Sequence, residues 1–228
     1  MRTPTLILLL TLLSAQLPVA SARAVLPSGD EPVRNVLLIR HGEYDHDVDT
    51  PDEGGLVALG RQQARLLAAR LDAMPVTVTS LQSSTMTRAR QTAEIIAARF
   101  PGLDLSLYDD IRECTPTTRR QDIMADLAPG EADACEADLA RAWRRIFRPA
   151  DGDGDAYDIV VCHGNVIRWF VTRVLDVDPA AWLEMSIANC SMTVVQVRAD
   201  GSTKLISFAD SGHIPWSMTT YPGVEVQQ

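Results

Sequence analysis

Two unbroken apolar runs stand out along the chain, Val36-Leu37-Leu38-Ile39 and Ile159-Val160-Val161-Cys162. Runs of this length read as strands buried on both faces of a sheet. The β-branched stretch Val76-Thr77-Val78-Thr79 predicts a third strand, and Leu103 to Leu107 a fourth. Between them the apolar positions return every three or four residues. Leu59, Leu66, Leu67 and Leu71 share one side of a helix over Leu56 to Met74, with Arg61, Arg65 and Arg70 on another, and Pro75 ends it. Thr85 to Phe100 predicts a second helix, stopped by Pro101-Gly102. Residues 136–147 predict a third, and Asn165 to Leu175 a fourth. Met192 to Val197 and Lys204 to Phe208, joined by Ala199-Asp200-Gly201-Ser202, read as a terminal hairpin. Residues 112–135, with Pro116 and Pro129, are expected to be irregular, and 151–155 a loop. Strands alternating with helices predict a three-layer α/β/α fold on a central, mostly parallel sheet.

The first residues stand apart from this pattern. Arg2, the apolar run Leu6 to Leu13, Pro18 and then Ala20-Ser21-Ala22 have the order of a secretory signal and its cleavage site. The run is too short for a membrane span, which takes about 20 apolar residues. The expected organisation is a signal peptide over 1–22, a linker over 23–32 and one domain over 33–228. This predicts a secreted or periplasmic protein with no stable membrane insertion after cleavage. Export would make Cys114, Cys135, Cys162 and Cys190 matter: Cys114 with Cys135 is one pairing, four buried thiols the alternative.

The chain carries 21 Lys and Arg against 30 Asp and Glu, a net charge of −9. Such a chain repels nucleic acid and anionic membrane, so neither is expected as a partner. Any anion site must be a local cluster of cations. Ligands of open α/β sheets bind beyond the carboxyl ends of the strands, and two strands here run into histidine, as Arg40-His41-Gly42-Glu43 and as Cys162-His163-Gly164-Asn165. A third leads into Ser84-x-x-x-Arg88, which places Arg88 in the first turn of a helix whose N-terminus is itself positive. Two His, two Arg and a helix start suit a phosphoryl dianion. The acidic run at 45–53 reads as a solvated loop, with a divalent-metal site or a selector for basic phosphopeptides as alternatives. Asp151, Asp153 and Asp155 imitate a calcium loop, but Ala156 stands where Gly is needed and Cys162 where Glu is needed.

These motifs, with Leu59-Gly60-Arg61-Gln62-Gln63-Ala64 and Ser84-x-x-x-Arg88-Ala89-x-Gln91-Thr92-Ala93, resemble in order and spacing those of the histidine phosphatase (phosphoglycerate mutase-like) superfamily over about 33–210. Ile111-Arg112-Glu113, Val166-Ile167-Arg168 and Trp182 to Asn189 extend the resemblance toward its serine/threonine protein phosphatases, with divergence over 114–135. Glu43-Tyr44-Asp45 after the first motif, and Gly164 after His163, differ from the superfamily's acid phosphatase branch. The resemblance implies a phosphoglycerate mutase-like fold and a phosphomonoester hydrolase working through a phosphohistidine on His41. It implies that Arg40, Arg88 and His163 hold the phosphoryl group and that Glu113 is the proton donor. Gly42, Glu43 and Asn165 would be auxiliary, with no metal or cofactor. The implied substrates are phosphoserine and phosphothreonine of proteins or peptides. The alternatives are a small-molecule phosphatase of the same mechanism and a non-catalytic module that binds phosphorylated ligands.

Overall fold

The computed structural model describes residues 31–50 and 53–221. Its centre is a six-stranded sheet in the order β3-β2-β4-β1-β5-β6. β1 (Arg34–Arg40), β2 (Ser80–Ser84), β3 (Leu105–Tyr108) and β4 (Ala156–Cys162) run parallel, while β5 (Met192–Val197) and β6 (Thr203–Asp210) close one edge antiparallel.

Side chains alternate across the sheet, so each central strand feeds two cores. Val36, Leu38, Val160 and Cys162 pack under α4 (Glu131–Ile146) and α5 (Gly164–Val174). Leu37, Ile39, Ile159 and Val161 pack under α1 (Ala58–Asp72) and α2 (Thr87–Ala97). The three layers predicted from the sequence follow from this two-sided burial. At the amino end of the strands Arg34 forms a buried ion pair with Asp158, whose other oxygen accepts from Thr79 and Ser80.

Two expectations are corrected. The second strand is Ser80–Ser84, downstream of the β-branched stretch Val76–Thr79. Its register with β4 starts at Ser80↔Asp158, so pairing with a central strand and the hydroxyl bonds to Asp158 outweigh propensity. The stretch 112–135 is not wholly irregular. It contains a short helix α3 (Gln121–Asp126), and α4 starts at Glu131 rather than 136. Gly130, at φ +80°, supplies the left-handed turn that admits this earlier start. The loop expected at 151–155 is present, and Asp151 pairs there with Arg34 and Arg148.

The β1 end is packed against α1 through two glycines. A Cβ on Gly60 would stand 1.8 Å from the Glu43 carbonyl oxygen, and one on Gly42 2.6 Å from the Gly60 carbonyl oxygen. Both contacts are with backbone, which has no rotamer to give way. Gly60→Ala should therefore destabilise the protein by about 1–3 kcal/mol and displace the segment after β1. Urea unfolding of the variant beside the wild type checks this; an unchanged midpoint would contradict the packing.

Candidate active site

Parallel pairing of β1 with β4 puts Arg40 opposite Cys162, so His41 and His163 leave the sheet side by side. The His41 amide donates to the Cys162 carbonyl at 3.0 Å, and the two ring centroids lie 5.1 Å apart. Both rings are buried, 1% and 0% exposed. His41 Nδ1 lies 2.8 Å from the Gly42 carbonyl oxygen. A carbonyl only accepts, so the proton is assigned to Nδ1 and Nε2 keeps its lone pair. Arg88 Nε donates to that nitrogen at 3.3 Å. His163 sits at the N-cap of α5, with Nε2 2.8 Å from Ser84 Oγ. Its Nδ1 has no hydrogen-bond partner among the described residues and lies 3.9 Å from Glu113 Oε2.

Three elements bring the cations. Arg40, the last residue of β1, donates from Nη1 to the Ile187 carbonyl at 2.6 Å, while its buried Nε is unbonded among the described residues, at the start of α5 beside Gly164. Arg88 lies in the first turn of α2, 4% exposed, with its guanidinium over the Tyr44 ring. Arg112 reaches Thr85 from the loop before α3. Burial, and then His163, Arg40 and Arg88, hold His41 well below the ordinary imidazole value. Burial, and then Arg88, Arg40 and Arg112, do the same to His163. Two neutral imidazoles thus face a concentration of guanidinium charge, and nothing in that set favours a further cation.

Glu113 follows the turn Asp109–Ile111, anchored by the fully buried Ile111. Its Oε1 accepts from the Asn165 amide at 3.1 Å, and Asn165 Nδ2 donates to the Cys114 carbonyl at 2.9 Å. Asn165 therefore clamps the acid's loop to the first turn of α5. Burial pushes the Glu113 carboxyl above its ordinary value, against the opposing pull of Arg40, the Asn165 amide, Arg88 and Arg168. The side chain keeps 27% of its surface exposed, so a proton can pass to and from solvent.

The structure thus gathers His41, His163, Arg40, Arg88, Glu113, Gly42 and Asn165 at one point. Glu43 is set to the side: its Oε1 accepts from His46, and its backbone amide is fixed by Gln63 of α1. The described part of the acidic loop is pinched at its base by Tyr44 and Leu56 and forms no metal cluster. Among the described residues, His41, Glu113 and His163 alone place ligand-type atoms within 4.8 Å of one another. That donor set would accept a metal ion by type, but the arginines around it favour an anion. Sequence reasoning gave no role to Ser84, which bonds His163, to Asn189, which donates to the His41 carbonyl at 3.1 Å, or to Tyr44, edge-on to His41 at 5.2 Å. The first two contacts cross between elements, the third lies within the loop after β1, and no periodicity marks any of them. Of the cysteines, Cys114 and Cys135 form a disulfide. Cys162 and Cys190 are buried free thiols, raised by that burial and unreactive.

The model of the histidine phosphatase superfamily (branch 1) matches residues 36–144 and 117–210. The mitochondrial serine/threonine-protein phosphatase Pgam5 of Caenorhabditis elegans is 39% identical over 190 residues, 80% of this chain and 64% of that protein. Its Homo sapiens counterpart is 35% identical over 187 residues, again 80% of this chain and 64% of that protein. The chain thus spans less than two thirds of the length of these relatives. Among solved structures, the phosphoglycerate mutase of Plasmodium falciparum superposes with a TM-score of 0.58 at 26% identity, covering 81% of this chain and 96% of that one.

The relatives correct one expectation. They are named as mitochondrial proteins, which overturns a secreted or periplasmic location and points to a mitochondrial one. The leader signal misled because Arg2 and Arg23, with no acidic residue before Asp30, suit an organelle-targeting segment as well as an export signal. The expected signal peptide and most of the linker lie outside the described residues. From the family match, the two-histidine geometry and the fold together, the chain belongs to the histidine phosphatase superfamily, branch 1.

Proposed function

We propose that this protein hydrolyses phosphomonoesters through a phosphohistidine intermediate, and that it acts on phosphoserine and phosphothreonine of proteins or peptides. The arrangement that carries the reading is His41 Nε2, the acceptor nitrogen of a ring oriented by the Gly42 carbonyl, placed beside His163 and under the Arg88 guanidinium. The names of the two relatives support the substrate class.

In the first step His41 Nε2 attacks phosphorus in line, forming an N–P bond as the ester P–O bond breaks. Glu113 gives its proton to the departing serine or threonine oxygen. In the second step Glu113 takes a proton from water, the hydroxide attacks phosphorus, and the N–P bond breaks to release phosphate and regenerate His41. Charge on the transferring group sits on its equatorial oxygens, where Arg40, Arg88 and the Nδ1 side of His163 bind it. The depressed His41 value keeps the nucleophile unprotonated. The raised Glu113 value keeps a proton on the acid at a pH where an ordinary carboxylate has lost it.

Hydrolysis of p-nitrophenyl phosphate in the presence of EDTA tests the chemistry. His41→Ala should abolish it, along with an acid-labile, alkali-stable phosphoenzyme; equal rates for variant and wild type would end the reading. Arg88→Ala should cost about 3–4 kcal/mol of transition-state stabilisation, seen as a fall in kcat/KM. Hydrolysis of phosphoserine peptides set beside sugar phosphates tests the substrate class.

The pH profile has a definite sign. As pH falls, kcat/KM should persist until His41 protonates, well below the ordinary imidazole value. As pH rises, it should fall when Glu113 loses its proton, above the ordinary carboxylate value. Glu113→Gln should remove the alkaline limb on the same phosphoserine peptide, where the substrate's own ionisation is common to both curves.

A further inference from the structure

The cross-link between Cys114 and Cys135 lies immediately beside the acid. Cys114 follows Glu113 directly in sequence, and Cys135 is a buried residue of α4, packed in the core with Leu139, Ala142 and Phe170. Other contacts on this part of the loop are few. The Glu113 amide points at Met86 Sδ, a weak acceptor. The Glu113 carboxylate and the Cys114 carbonyl both accept from one residue, Asn165. Beyond Cys114 the Thr117 amide donates to Glu136, one residue past Cys135, and the Thr117 carbonyl accepts from the buried Trp182. From Glu113 to Arg120 the backbone belongs to no helix or strand. The disulfide is thus the covalent tie between the acid's loop and α4, while His41, Arg40, Arg88 and His163 are carried by other elements.

We infer that the Cys114–Cys135 disulfide is a positioning device for the catalytic acid: with the bond closed Glu113 is held in the site, and with the bond reduced the loop releases it while His41, Arg40, Arg88 and His163 stay in place. This rests on the phosphatase reading above. The redox step is thiol–disulfide exchange with a dithiol. The S–S bond takes up two electrons and two protons, thiols form on Cys114 and Cys135, and the reductant closes to a cyclic disulfide. Cys114 is partly exposed, so a thiolate has a sulfur to attack. On release the carboxyl leaves a place where burial raises it and where Arg40 of β1, Arg88 of α2 and Arg168 of α5 face it, and returns toward its ordinary value in water. It is then ionised at neutral pH and has no proton to give.

The test uses two leaving groups. p-Nitrophenolate is a stable anion that departs without a proton, whereas a serine alkoxide needs one. Full-length protein is compared before and after dithiothreitol, with the thiol state fixed by mass spectrometry. Reduction should lower kcat on a phosphoserine peptide by about tenfold or more, with KM unchanged, and should shift the alkaline limb of the pH profile to lower pH. The pre-steady-state burst of p-nitrophenolate should persist, and reoxidation should restore peptide turnover. Cys114→Ser, without reductant, should behave as the reduced wild type. Glu113→Gln, already without an acid, should show no further loss on reduction.

Peptide turnover that survives reduction would overturn the inference. So would an equal loss in Glu113→Gln, which would mean that the bond merely supports the fold, and so would a collapse of the far-UV circular dichroism on reduction. Failure of the phosphatase reading looks different: the oxidised wild type would match His41→Ala on both substrates.

Discussion

The site depends on the parallel register of β1 with β4. Because Arg40 stands opposite Cys162, the two strands end at the same level, and the residues that follow are both histidine. A slip of one residue would send one imidazole to the other face of the sheet, since strand side chains alternate. The register is held from below by the Arg34–Asp158 pair and by apolar side chains that fill both faces of each strand. It is held from above by the His41 amide on the Cys162 carbonyl and by the Cys190 amide on the Arg40 carbonyl. The two strands buried along their whole length thus carry His41 and His163.

The acid has a different origin. Glu113 comes from a loop, and its place depends on Asn165, on the buried Ile111 before it and on the disulfide after it. In the proposed mechanism the nucleophile stays fixed against phosphorus while the acid moves a proton twice, to the leaving oxygen and from water. A partly exposed carboxylate on a tethered loop suits that second task.

The sequence made the sheet and the histidines legible for a simple reason. Buried central strands need unbroken apolar runs, and Val36–Ile39 and Ile159–Cys162 have them. The helices were legible from their stripes, and α1, α2 and α5 start and end close to the expected residues. β2 was not, because Ser-Leu-Gln-Ser-Ser has little strand propensity and forms only against β4. α3 was hidden for a related reason: none of its residues is buried, so it leaves no apolar stripe. The motifs gave the site's inner residues. Ser84 behind His163 and Asn189 behind His41 are set by tertiary contact alone, whereas the Cys114–Cys135 pairing could be named from the sequence, with four free thiols as the alternative that the structure removes. The destination of the N-terminal segment was misread because targeting is addressed by receptors, and the charge and hydropathy of the leader underdetermine it.

The chain's net charge of −9 and its arginine-lined cup meet in one electrostatic design. Beyond a Debye length of about 8 Å the surface field is screened, so the repulsion of an anionic partner by the acidic exterior acts only at close range. Inside the cup Arg40 and Arg88 are 6% and 4% exposed, and their attraction for an anion is several times what it would be in water. Binding is therefore concentrated at contact, on the group to be transferred. Burial depresses the two imidazoles first, and the same guanidiniums add to it, because a charge that welcomes a phosphoryl dianion also resists imidazolium. One set of arginines thus satisfies two requirements, an unprotonated nucleophile and a stabilised transferring group. Removal of either arginine would weaken both.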